Sequence, residues 1–139
     1  MANQKRKSDC PINYALELFG DRWTFLIVRD MMLKGKHSYG DFLRSEEKIA
    51  TNILADRLAL LEQAEIIIKS PDLSHGSKYI YRLSRKGIDL LPILVELIMW
   101  SAKYDEESAV EKKFINLVKK NRETLLKEIS SRLKEELAA

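Results

Sequence analysis

The chain has 139 residues, 45% of them hydrophobic and 32% charged, and a net charge of +3, which suits one globular domain with an appendage. No apolar run is long enough to cross a bilayer and the basic start "MANQKRKSD" leads into no signal-peptide hydrophobic region, so a cytoplasmic protein without membrane contact is expected. One cysteine excludes an internal disulfide, and one cysteine with two histidines excludes a Cys/His structural zinc site.

Residues 1–10 read as a basic N-terminal arm. "PINYALELFG" opens with Pro11 just inside a helix and closes at Gly20, the usual placing of helix-start proline and helix-end glycine. In "DRWTFLIVRDMMLKG", Trp23, Leu26, Ile27, Met31 and Leu33 form a wide apolar face, and Lys34 and Lys36 read as keeping the following turn soluble. "SYGD" has capping-box spacing and starts a short helix, Tyr39–Arg44, with "SEEK" as the turn after it.

The next stretch, "IATNILADRLALLEQ", has two unlike helical faces. Leu54, Leu58 and Leu61 make an apolar stripe, while Thr51, Asn52, Ala55, Asp56 and Ala59 are small or hydrogen-bonding, with little of the Lys/Glu coat of a solvated helix. The period then changes. "IIIKS" is a β-branched run, "PDLSHGS" is turn chemistry, and "KYIYRL" alternates, so a β-hairpin is predicted with Tyr79 and Tyr81 in the core of its sheet. Ser84 can cap one helix, "RKGIDLLPILVELIMWSAKY", whose stripe is Leu90, Ile93, Leu94, Leu97 and Trp100 and which Pro92 should bend or locally open. The segment 105–139 is charged and amphipathic, with Leu125, Ile129, Leu133 and Leu137 at every fourth position. Its i,i+4 pairs Glu123/Lys127 and Glu128/Arg132 are favourable, and a break near Asn121 is possible.

This order of elements is that of a mainly α (α+β) winged helix-turn-helix at 11–104, with a two-stranded wing and a C-terminal helical extension at 105–139. A groove-reading helix must approach base edges closely, which explains the small polar face. Thr51 can meet a thymine methyl, Asn52 the adenine N6/N7 edge, and Asp56 can accept from cytosine N4. The competing reading is that Thr51 and Asn52 only cap the helix. Phosphate contacts are assigned to Ser38, Tyr39, Arg44, Arg57, His75 and Lys78, with an internal salt bridge as the alternative for Arg57. Ser74–Lys86 carries Lys78, Arg82, Arg85 and Lys86 plus His75 and no acid, either a polyanion contact or a solvated loop.

"GDRWTFLIVRDMMLKGKHSYGDFLRS", "IATNILADRLALLEQAEII", "YIYRLSRKG", "LLPILVELIMW" and "CP" before the first helix together resemble the HxlR-type winged-helix transcriptional regulators, relatives of the MarR group. The resemblance runs from Cys10 to about Trp100. It implies a homodimeric repressor or activator that binds double-stranded operator DNA, with terminal helices forming the interface. Three departures stand out. Ala50 occupies a cap position where the family tends to have serine, so Thr51 could take over and shift the helix start. Glu65 stands where relatives often have glycine, at a cost of ~1 kcal/mol if the backbone is left-handed. Residues 105–139 extend past a typical member's end and are expected to enlarge the dimer interface.

Cys10 lies at a helix N-terminus, where the dipole and Lys5, Arg6 and Lys7 favour a thiolate and Asp9 opposes it. The resemblance makes it a candidate sensor of oxidants or electrophiles; the alternative is a small buried residue of the scaffold. A small-molecule effector is compatible with the sequence, which does not identify one. A winged-helix module that binds only protein is the rival reading. An enzyme, a metal site or a cofactor is not expected. His37 and His75 lack a carboxylate constellation, no glycine loop cradles phosphate, and Cys10 has no sequence-evident base.

Overall fold

The computed structural model describes residues 6–138, so the first half of the basic arm, Lys5 included, lies outside the described residues. Its elements are α1 (Pro11–Phe19), α2 (Thr24–Leu33), α3 (Tyr39–Leu43), α4 (Thr51–Gln63), β1 (Ile67–Pro71), β2 (Tyr79–Leu83), α5 (Arg85–Ile88), α6 (Leu91–Tyr104) and α7 (Lys112–Ala138). This is the expected winged helix-turn-helix. The two strands pair antiparallel, with Ile67 opposite Leu83 and Pro71 opposite Tyr79.

One core serves the whole chain. α2 supplies Ile27, Val28, Met31 and Met32, α4 supplies Leu54, Leu58 and Leu61, and the hairpin supplies Ile66, Ile67, Tyr81 and Leu83. The face of α2 is therefore rotated from the expected one: Val28 and Met32 are fully buried, whereas Leu33 is 37% exposed. Asp21 closes the turn that leads into α2. Its carboxylate accepts from the Trp23 and Thr24 amides at 2.9 and 3.0 Å and from the Thr24 hydroxyl. Burial raises the Asp21 pKa, but these bonds and the nearby Arg57 outweigh it and hold the group below the usual carboxylate range.

A charged cluster within this core places the recognition segment. Asp30, only 2% exposed, sits in the middle of α2. The Arg29 guanidinium donates to Asp30 Oδ1 at 2.8 and 3.0 Å and, two-pronged, to the Glu47 carboxylate at 2.7 and 2.8 Å. The Ser45 hydroxyl donates to Asp30 Oδ2 and accepts from Lys36 Nζ at 2.7 Å. The turn between α3 and α4 is thus bolted to α2 by charge-assisted bonds. Lys36, expected to be a solubilising residue, is part of the bolt. Arg29 lowers the Glu47 pKa from 4.5 to about 2, and Glu47 and Asp30 in turn raise that of Arg29.

Both ends of α4 differ from a conventional helix. At its start Ala50 makes no side-chain cap, and Thr51 does not replace it: the helix still begins at Thr51. The anticipated shift of the start does not occur, because Ala50 already has the extended backbone of a cap residue, with φ −68° and ψ 146°. At its end Glu65 has φ 61°, as its place after the helix required. The Glu65 amide bonds to the Glu62 carbonyl at 3.0 Å and the Ile66 amide to the Leu61 carbonyl at 2.9 Å, the paired bonds of a Schellman motif. The chain then meets α5 at close quarters. Ser84 caps α5 by accepting from the Gly87 amide at 3.1 Å and its hydroxyl donates to the Glu65 and Ile66 carbonyls. A Cβ on Gly87 would come within 2.2 Å of the Ile66 carbonyl oxygen, so only glycine fits there.

Two readings of the C-terminal half are corrected. The single helix predicted after Ser84 is two, α5 and α6, with Pro92 in the first turn of the second, where a missing N–H costs nothing. Its single stripe is also two: Leu91, Leu94 and Val95 face inward, while Ile93, Leu97 and Trp100 are 41%, 47% and 68% exposed. α7 breaks at Asn121, as anticipated, with φ −157° and ψ 81°, and the Asn121 side chain caps the second half by accepting from the Thr124 amide at 3.2 Å. Its apolar face is covered only in part: Leu125, Leu126, Ile129 and Leu137 are half-buried and Leu117 is 43% exposed. Val118 and Leu133 are 5% and 3% exposed, Arg122 pairs with Glu96, and the Arg132 guanidinium donates to the Met32 carbonyl. Neither Glu123/Lys127 nor Glu128/Arg132 is among the ion pairs of the described residues.

Replacing Glu65 by glycine should raise unfolding stability by up to about 1 kcal/mol, because glycine adopts the left-handed backbone without strain. Urea titration of the two proteins checks this. Glu47→Gln should lower stability by about 1–3 kcal/mol at pH 7. A depressed carboxylate stabilises the fold fully above its unfolded value, near 4.5, and that contribution is lost as pH falls through the folded value, about 2. The gap between wild type and Glu47→Gln in acid denaturation should therefore close across that window.

Candidate nucleic-acid interface

The outward face of α4 is free. Thr51, Asn52, Ala55, Asp56 and Ala59 are all exposed, while Leu54, Leu58 and Leu61 hold the opposite face in the core. Among the described residues no hydrogen bond engages the side chain of Thr51 or Asn52, so neither acts as the helix cap. The Asp56 side chain is 61% exposed and lies 3.6 Å from Arg57 Nε.

The residues assigned to phosphates fall into two groups. Ser38, Tyr39 and Arg57 have structural partners. Ser38 caps α3 by accepting from the Asp41 amide at 3.1 Å. The Tyr39 hydroxyl donates to the Thr51 carbonyl at 2.9 Å and so ties α3 to the first turn of α4. Arg57 lies 3.6 Å from both Asp21 and Asp56, the internal ion pairing that was its alternative reading. Its Nε is buried and has no hydrogen-bond partner among the described residues.

Arg44, His75 and Lys78 are exposed. The Arg44 side chain, 72% exposed, reaches back to Asp41 at 2.7 Å. Burial raises the Asp41 pKa, but hydrogen bonding by Ser38, His37 and Arg44 outweighs it and leaves the carboxyl below its ordinary value. His75 and Lys78 lie in the hairpin loop, whose shape is set by backbone bonds: His75 amide to Asp72 carbonyl at 3.1 Å, Lys78 amide to His75 carbonyl at 2.8 Å, and Asp72 amide to Lys78 carbonyl at 2.9 Å. The Asp72 carboxylate accepts from the Ser74 hydroxyl and amide, which hold its pKa below the usual range.

The hairpin is fastened to the helix-turn-helix through His37. The Tyr81 amide donates to the His37 carbonyl at 2.7 Å, and His37 Nδ1 lies 3.3 Å from the Tyr81 carbonyl. Tyr81 is buried as expected. Tyr79 is not: it is 46% exposed, and Lys69 Nζ stands 4.2 Å from its ring centre on the open face of the wing. The strand alternation placed both tyrosines on one face, but past Ile80 the hairpin extends beyond the core that covers Tyr81.

Cys10 is exposed, not a buried scaffold residue, and sits at the N-cap of α1 with its carbonyl accepting from the Tyr14 amide at 3.1 Å. Arg6 pairs with Asp9 at 3.7 Å and lies 5.5 Å from the Tyr14 ring centre, with Lys86 near the same ring. Sequence reasoning missed the Arg29–Asp30–Glu47 cluster. Its signal was an Arg-Asp pair inside the otherwise apolar "FLIVRDMML", which a solvated helix would not need to place there.

Known proteins with this arrangement regulate transcription. The HxlR-like helix-turn-helix family model matches residues 18–109. The HTH-type transcriptional regulator YodB of Bacillus subtilis is 31% identical over 98 residues, which is 70% of this chain and 87% of YodB. The reduced form of YodB superposes with a TM-score of 0.56 at 30% identity, over 73% of this chain and 99% of that one. YodB is also known in diamide-treated and quinone-bound forms. The crystal structure of PA1607 superposes with a TM-score of 0.68 at 37% identity, over 76% of this chain and 75% of that one. The HTH-type transcriptional regulator Rv3095 of Mycobacterium tuberculosis is 33% identical over 93 residues, and this chain spans 58% of its length. The match takes in the end of α1, the bolted turn, the open face of α4 and the whole wing: the chain belongs to the HxlR-like helix-turn-helix family of DNA-binding transcription regulators.

Proposed function

We propose that this protein is a homodimer that reads a two-fold symmetric operator through α4, with its DNA affinity set by the state of Cys10. The observation that carries the reading is the open, unpartnered face of α4, held at a fixed angle by the Arg29 cluster. Asn52 and Thr51 stand in the first turn, where a groove-bound helix meets base edges, and Asp56 follows one turn later. Because no side chain caps α4, its first-turn N–H groups are also free for a DNA phosphate. Arg44 on the helix-turn-helix and Lys78 on the wing supply cations, and His75 supplies a hydrogen-bonding ring. Ser38, Tyr39 and Arg57 serve mainly to hold the elements in place.

Dimerisation is supported by a second open face. α1 buries none of its residues, and Ile12 and Leu16, one turn apart, are 68% and 58% exposed. On α6, Ile93, Leu97, Trp100 and Tyr104 form a continuous outward stripe, with Trp100 68% and Tyr104 65% exposed. Such a stripe on an otherwise buried helix needs a partner, and a second copy supplies a matching one. The extension 105–139 enlarges this interface: Leu117 is 43% exposed, and Leu125, Ile129 and Leu137 are only half-buried. Cys10, at the start of α1, lies beside that interface, and YodB is the relative studied with diamide and quinone. Oxidation to a disulfide with the partner subunit or to a mixed disulfide would alter the mutual angle of the two subunits.

Selection of duplexes from a random pool should return palindromes with half-sites about 34 Å, one helical turn, apart. Asn52→Ala should relax base preference at one position per half-site. Lys78→Ala should weaken binding to all duplexes alike and reduce the salt slope by about one. A chain that binds only protein would show no such salt dependence. Trp100→Asp should convert the dimer to monomer in sedimentation equilibrium. Diamide should change the operator affinity of wild type but not of Cys10→Ser; an identical response of both removes Cys10 from the mechanism.

A further inference from the structure

The second half of α6 and the first half of α7 enclose an open hollow of about 460 Å³, lined by Met99, Ala102, Lys103, Ile115 and Lys119. That volume falls among those of small-molecule sites, roughly 300–1,000 Å³. Its walls divide by chemistry: Met99, Ala102 and Ile115, all half-buried, form an apolar floor, and the two charged groups at the rim are both ammonium groups, one from each helix.

The lining holds two lysines and no acid, although Glu111 and Glu123 bound the basic run of α7. Residues 112–122 contain Lys112, Lys113, Lys119, Lys120 and Arg122 and no acid. Arg122 is engaged by Glu96. None of the four lysines takes part in an ion pair among the described residues, and Lys103 contacts only the ring of Tyr104, 5.4 Å from its centre. By contrast the arginines that position α4, Arg29 and Arg57, are both paired with carboxylates. A row of lysines on a surface helix is ordinary; two lysines from different helices lining one hollow with apolar neighbours are not. A neutral apolar ligand would leave both cations without a counter-charge, and an inorganic anion would leave the floor wet.

We propose that the α6–α7 hollow binds a free organic carboxylate with an aliphatic or aromatic body. The carboxylate lies between Lys103 and Lys119, and the body covers Met99, Ala102 and Ile115. Two of its five lining residues, Ile115 and Lys119, lie beyond the 18–109 stretch that matches the family, so the site needs this chain's extension and stands independently of how α4 meets DNA.

The test is titration calorimetry on the full chain with octanoate and benzoate, using octanol as the uncharged control and sodium phosphate as the control without a body. Octanoate should bind saturably, octanol and phosphate at least tenfold more weakly, and the Lys103→Ala/Lys119→Ala double variant should lose at least tenfold in octanoate affinity at unchanged melting temperature. Both lysines are exposed, so the variant keeps the fold. Trp100 fluorescence gives a second readout one residue from Met99. The proposal is overturned by any of three results: no saturable octanoate binding up to about 10 mM, equal affinity for octanol, or equal affinity in the double variant.

Discussion

The Arg29 guanidinium, shared between Asp30 and Glu47, is the interaction on which the DNA-reading geometry depends. A helix-turn-helix works only if its second helix stands at a defined angle to the rest of the domain, and apolar packing alone leaves such an angle soft. Here Arg29, Asp30, Ser45, Lys36 and Glu47 join α2 to the turn before α4 through directional, charge-assisted bonds in a largely dry setting. The same cluster makes the turn sensitive to changes in charge, since removing one member leaves others buried without a partner.

Around that fixed point, the other elements are arranged so that two surfaces stay open. The hairpin is anchored at its base through His37 and Tyr81, and its loop residues His75 and Lys78 are exposed. On the other side, α7 folds back over the domain, while the outward stripes of α1 and α6 remain uncovered. The two helices differ in how their apolar residues are used: α7 buries Val118 and Leu133 against the domain, while α6 buries Leu91, Leu94 and Val95 and leaves Ile93, Leu97 and Trp100 exposed.

Much of the fold was legible because it is locally encoded. Ser38 and Ser84 are capping residues by type and spacing and act as caps. Glu65 had to take a left-handed backbone because the chain must turn sharply between α4 and β1, and it does. The small polar face of α4 was visible as a departure from the usual charged coat. The errors came from cases where the choice is made by distant neighbours. Tyr79 and Tyr81 share a strand face, yet only Tyr81 reaches the core. Leu33 looked as apolar as Met32, but Met32 packs into the core and Leu33, at the end of α2, stays 37% exposed. Ile93 and Leu97 read as part of one stripe with Leu94, because periodicity cannot separate one broad buried face from two faces with different partners.

The sequence by itself determined the first four helices in order, the serine caps at Ser38 and Ser84, the hairpin and the small polar face of α4, because these follow from propensities and spacings within a dozen residues. Tertiary structure alone decided that Arg57 pairs with Asp21, that Lys36 joins Ser45 and Asp30, and that Arg132 of the C-terminal helix meets the Met32 carbonyl. Each of these depends on groups brought together from separate segments. Charge and amphipathicity along the chain say that such groups need partners, and only the folded arrangement says which partners they find.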